Sequence, residues 1–123
     1  MAVSDELVEL VKDHLTVFGP ATFKKMFGGV GMFSQGVMFG LIVDDILYFK
    51  RDAENNQMFE HEGLGSFGYE SKSGKRTIMS YGKAPERVFD EPDEMISWAQ
   101  AGMQAAIRAD NAKPKAKRKL IIR

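Results

Sequence analysis

The chain has no cysteine, two histidines and four prolines in 123 residues. Without cysteine there is no disulfide, no thiolate nucleophile and no cysteine-ligated metal. Long apolar runs are missing as well. The longest, Leu41 to Phe49, is interrupted by Asp44 and Asp45, so no segment is expected to span a membrane. The N-terminus opens Ser4-Asp5-Glu6, acidic where a secretory leader would be basic, and no signal peptide is expected. These absences fit a cytoplasmic protein.

Catalytic chemistry is equally thin. Ser66, Ser71, Ser73 and Ser80 stand near no base in the sequence, which leaves a hydrolase triad without support. Glu60-His61-Glu62 holds ligand-type residues, but adjacent helix positions do not face one another, so a solvated helix end is expected instead of a metal site. His14 falls beside an apolar helical stripe and reads as a boundary side chain. Gly28-Gly29-x-Gly31 lacks the glycine spacing of a dinucleotide loop and the Gly-Lys-Ser/Thr ending of a P-loop. It also feeds a strand, whereas phosphate loops feed a helix N-terminus. The expectation is a protein with no catalytic residues, no cofactor and no metal.

What is present is a folded domain. With 44% hydrophobic residues the chain can bury a core as one domain, expected over residues 1–111, with a tail over 112–123. Leu7, Val8, Val11, Leu15 and Phe18 repeat at helical spacing behind Ser4, a good N-cap, and Gly19-Pro20 ends that helix. A first strand is expected over Phe23 to Phe33, its glycines marking a bulge or a close approach by a packed helix. Ser34-Gln35-Gly36 reads as a turn, Val37 to Val43 as the second strand, Asp44-Asp45 as a two-residue turn, and Ile46 to Arg51 as the third strand. Asp52 caps a short helix over Ala53 to Glu62. Strands around Ser66 to Glu70 and Arg76 to Tyr81 flank the turn Ser71 to Gly74. A last helix starts near Pro92, with an apolar stripe of Met95, Trp98, Ala99, Gly102, Met103, Ala106 and Ile107. The order α-β-β-β-α-β-β-α predicts an α+β, two-layer fold. Its antiparallel five-stranded sheet carries helices on one face.

Several of these segments resemble one known family. FGGVGMF followed by GVMFGLIVDDILYFK, and later MSYGKAPE followed by EPDEMISWAQAGMQAA, are similar in order and kind to the N-terminal domain of the TfoX/Sxy family. The likeness runs from about Asp5 to Ala109. Members of that family regulate natural competence by assisting a transcription activator. The resemblance therefore implies a non-enzymatic accessory regulator, with a transcription activator as a partner. Full-length regulators of the family add a helical C-terminal domain, whereas this sequence continues into a short basic tail.

Two surfaces are candidates for contact. Alternation along the hairpin places Met38, Gly40, Ile42, Leu47 and Phe49 on a core face, and Phe39, Leu41, Val43, Ile46 and Tyr48 on the other. A two-layer fold needs only one apolar sheet face, so the second predicts partner burial, in the first instance as a homodimer. The other surface is the tail. Equal numbers of acids and bases hide an asymmetry: Lys113, Lys115, Lys117, Arg118, Lys119 and Arg123 gather six cations at the end, and the body is left at −6. Clustered cations without aromatics predict non-specific contact with the nucleic-acid backbone. The alternative is a dimeric, chaperone-like interaction module that leaves nucleic acid alone.

Overall fold

A computed structural model describes residues 5–26, 28–71 and 74–120, with the backbone alone for 69–71 and 75–79. The chain runs α1 (Asp5–His14), β1 (Thr22–Met26), β2 (Gly29–Ser34), β3 (Val37–Val43), β4 (Ile46–Lys50), α2 (Asn56–His61), β5 (Ser66–Ser71), β6 (Gly74–Lys83) and α3 (Pro92–Asn111). Single 3-10 turns lie at Glu86–Phe89 and Lys115–Lys117. All neighbouring strands are antiparallel, in the order β1-β2-β3-β4-β6-β5. The expected α+β architecture is therefore present, with six strands in place of five.

The extra strand comes from the glycine-rich run. Met26 pairs with Gly29, so the chain reverses between them and the expected first strand becomes the hairpin β1–β2. Gly28 has φ +74, a conformation glycine adopts without a Cβ penalty. Gly29 and Gly31 mark close approaches, but of neighbouring strands, not of a helix: a side chain at Gly29 would run into the Ile42 carbonyl.

The other turns follow the sequence more closely. Asp44 and Asp45 both take positive φ, and the turn sets Val43 opposite Ile46, Leu41 opposite Tyr48 and Gly40 opposite Phe49, as expected. Asp52 accepts the backbone N–H groups of Glu54 and Asn55, while the Asn55 side chain accepts that of Asp52. This reciprocal cap starts the turn ahead of α2, which is shorter than predicted. Ser4 and the turn residues Lys72 and Ser73 lie outside the described residues.

One part of the face assignment fails. Met32 pairs with Gly40 but Phe33 pairs with Met38, so Phe39 is an extra residue on β3. Such a β-bulge breaks the two-residue alternation. Phe39, expected on the partner-binding face, is fully buried in the main core, and Met38, expected in the core, packs against the opposite face. Strict alternation holds only from Gly40 onward.

The main core joins α1, α2 and α3 to one sheet face. Val11 and Leu15 meet Phe39, Ile42, Leu47 and Phe49 from the sheet, and Met95, Trp98, Ala99 and Met103 from α3. Phe39 lies between Phe18 and Phe49, with ring centroids 5.0 and 6.5 Å away. Trp98 meets the Phe59 ring edge-on at 5.0 Å, fastening α2 under α3. At Gly102 α3 lies close against the sheet: a Cβ there would stand 2.9 Å from the Phe39 carbonyl oxygen and 3.2 Å from Phe49 Cβ.

Polar groups tie the layers at their edges. Asn55 is buried and donates to the carbonyls of Lys50 and Ala101, linking the end of β4 to α3. Arg108 on α3 grips Asp52 with two hydrogen bonds of 2.7 and 2.9 Å. The hydrogen bonds from Arg108 hold the Asp52 carboxyl below its usual range. A depressed carboxyl contributes stability that is full above its unfolded value and fades as pH falls through the folded one.

Two outcomes are expected. Trp98→Ala lowers unfolding free energy by about 3–5 kcal/mol, the range for a large aromatic removed from a core; an unchanged urea midpoint would place Trp98 outside the core. Arg108→Met weakens the protein measurably at pH 7, and the gap from wild type narrows below about pH 4 as Asp52 takes its proton. A gap that widens in acid would refute the pairing.

Candidate functional site

Partner contact was expected on the second face of the sheet. Leu41 and Tyr48 are buried by the chain itself. Phe67 from β5 meets Tyr48 edge-on at 5.2 Å, and Tyr81 from β6 belongs to the same cluster. Val43 and Ile46 are half-buried at its margin, with Met38. The surface that the hairpin alone would expose is thus closed by the β5–β6 hairpin, which the sequence reading did not carry across that face. Val17 is the one large hydrophobic side chain exposed among the described residues.

Tyr81 does more than cover. It pairs with Lys50 across the β4–β6 ladder, and the Lys50 ammonium sits 4.9 Å from the centre of its ring. Burial pushes the Tyr81 hydroxyl up to about 12. Burial, followed by the nearby charge of Lys113, moves Lys50 below the usual lysine value. Lys50 is thereby coupled to the first cation of the tail.

The tail is docked. Asp110, in the last turn of α3, is 2% exposed and accepts the backbone N–H groups of Lys119 at 2.7 Å and Leu120 at 3.0 Å. Leu120 packs against the main core. Arg118 donates to the carbonyls of Lys113 and Asn111, closing the loop. The chain therefore doubles back over the end of α3. Lys113, Lys115, Lys117 and Lys119 are exposed along it, whereas Arg118 is half-buried. Arg123, Ile121 and Ile122 lie outside the described residues. The anchoring role of Asp110 was missed because the residue reads as one more polar position at a helix end; its clue is a lone acid just before six cations.

The two histidines differ in setting. His14 Nε2 lies 2.9 Å from the Phe89 carbonyl, a group that can only accept, so that nitrogen carries the proton. His61 is exposed beside Glu62, whose carboxylate takes two hydrogen bonds from Arg87. Among the described residues no group of three His, Asp or Glu side chains is placed to hold a metal ion, and no helix is long and apolar enough to cross a membrane.

The antiparallel sheet, α2 and the closing helix α3 up to Ala106 lie where a family model for the TfoX N-terminal domain matches, over residues 13–106. The chain belongs to the TfoX N-terminal domain family. It is also 32% identical over 81 residues to the DNA transformation protein TfoX1 of Aliivibrio fischeri (strain ATCC 700601 / ES114). That match takes in 66% of this chain but 38% of the relative, so this TfoX-type chain spans well under half of that protein's length. The matched family region stops short of the basic tail, whose docking is a feature of this chain's own residues.

Two expectations follow. Leu41→Lys puts a charge into a site 2% exposed, so it lowers stability by several kcal/mol in thermal or urea unfolding; wild-type stability would mean that this face is open. Asp110→Ala removes the acceptor for two amides, and hydrogen exchange at Lys119 and Leu120 should speed up with the body's protection unchanged. Unchanged exchange at those amides would show that the carboxylate does not hold the tail.

Proposed function

We propose that this TfoX-type chain is a non-enzymatic binding module that assists transcription in the manner of competence regulators. Membership of the family and the likeness to a DNA transformation protein support the competence connection. The docked tail supports a route to nucleic acid: Asp110 pins it to the body, so its lysines stand on a fixed surface. An acidic body repels phosphate, which leaves this strip as the place where a duplex can approach. Contact there is with the backbone and carries no base reading. A DNA-bound transcription activator is the protein partner this reading requires, in a cytoplasmic setting.

The homodimer expected from the hairpin has a smaller surface than the sequence suggested. Phe39 is in the core, and Leu41 and Tyr48 are covered by Phe67 and Tyr81. Val43 and Ile46 remain as the margin on which a second copy or another protein would rest.

The test is duplex binding by the full chain across a range of salt. Each phosphate neutralised contributes a log–log slope of about −0.9, so Lys115→Ala with Lys117→Ala should flatten the slope by about 2 and weaken binding to all sequences alike. Binding and slope that survive the double substitution would rule out the tail as the nucleic-acid surface. Capture of a protein from nuclease-treated extract, with no duplex binding at low salt, would favour the interaction module instead.

A further inference from the structure

Beside the docked tail is a cleft that the duplex reading does not use. It lies between the turn of the β2–β3 hairpin, the end of β4, Tyr81 and the last turn of α3, and its volume is about 290 Å³. Lys50, Lys113 and Lys119 line it, with Phe33 and Tyr81 among its aromatic and apolar walls. Three cations from two separated parts of the chain thus meet around one small opening.

The acid in the same cleft does not cancel them. Asp110 faces the amides of Lys119 and Leu120 with its two oxygens and lies 3.9 Å from the Lys113 ammonium. Three positive charges and one negative leave the cleft at +2. Lys50 is half-buried and rests on the Tyr81 ring; among the described residues no carboxylate stands within ion-pair distance of it. Holding a second ammonium near a desolvated lysine is unfavourable unless an anion comes between them.

We infer that this cleft binds a phosphoryl group, gripped by Lys50, Lys113 and Lys119 beside Tyr81. The volume falls just below the range for small-ligand clefts, about 300–1,000 Å³, so the site suits one phosphoryl group on a small carrier and not a folded surface. The Tyr81 hydroxyl donates its one proton to the Met38 carbonyl over a long 3.5 Å, a weak bond that a phosphoryl oxygen can replace as acceptor. A mononucleotide and free phosphate present the same chemistry. The inference goes beyond duplex binding: Lys113 and Lys119 belong both to the tail strip and to the cleft, whereas Lys115 and Lys117, the pair whose substitution tests the duplex reading, do not line it.

The experiment is a titration of the full chain with inorganic phosphate and with thymidine 5′-monophosphate at constant ionic strength, followed by backbone amide shifts. Saturable shifts are expected at Lys50, Tyr81 and Lys119. Lys50→Met, which keeps the apolar stem, should weaken both probes by about tenfold or more, the loss typical of a charge-assisted contact. Lys119→Gln gives the same reading if Lys50→Met does not fold, and Lys115→Ala should leave both affinities unchanged. Tighter binding of the nucleotide than of phosphate identifies a nucleotide as the source, and equal binding identifies free phosphate. No saturable shift with either probe overturns the site. So does a folded Lys50→Met protein with wild-type affinity, or a Lys115→Ala protein that loses as much as Lys50→Met. Duplex binding lost in the Lys115/Lys117 double variant, with phosphate binding intact, separates the two sites.

Discussion

The close seating of α3 on the β3–β4 hairpin governs the rest of this structure. Gly102 allows it, because its missing side chain lets the helix backbone rest against the Phe39 carbonyl and Phe49. Seated there, α3 places Met95, Trp98, Ala99 and Met103 over Phe49 and Leu47, and fully burying a Met, Leu or Phe side chain stabilises by about 1.5–3 kcal/mol. The β-bulge at Phe39 completes the contact. By breaking alternation it sends one more aromatic ring toward the helices, where it stacks between Phe18 and Phe49.

The same seating positions the chemistry. With α3 fixed at Gly102, its last turn stands beside the end of β4, and Asn55 and Asp52 brace the arrangement from the β4–α2 connection, through the Ala101 carbonyl and Arg108. Asp110 then holds the returning tail where Lys113 comes near Lys50. A basic sequence that could have extended into solvent instead lies on the body. The cation cluster results from tertiary structure: Lys50 and Lys119 are far apart along the chain and meet only because one helix carries the tail back to the sheet.

How much of this was legible in the sequence depends on the range of the interaction. The closing helix, its apolar stripe and the hairpin register at Asp44-Asp45 could be read, since each depends on local periodicity or on a turn's own geometry. The fold class followed from their order. The β1–β2 hairpin was hidden because its reversal between Met26 and Gly29 is embedded in a run that also reads as one long strand. Phe39 was misplaced because a bulge is decided by the partner strand, where the pairing slips between Met32 and Phe33. The cover over Leu41 and Tyr48 was invisible for a similar reason: Phe67 and Tyr81 arrive from a hairpin distant in sequence. Of the candidate contacts, the tail cations were found from composition alone, while Lys50 and Asp110 needed the fold.

The seating of α3 can be tested by the sign of a single change. In an unconstrained helix interior, alanine is favoured over glycine by about 0.8–1.0 kcal/mol. At position 102 the added Cβ would lie 2.9 Å from a backbone carbonyl oxygen, which cannot yield without moving the helix or the strand. Equilibrium urea unfolding of Gly102→Ala measures which effect wins. A loss of stability is predicted, larger than the helix preference it has to overcome. A gain of about 1 kcal/mol, the propensity effect alone, would contradict the close contact between α3 and the hairpin.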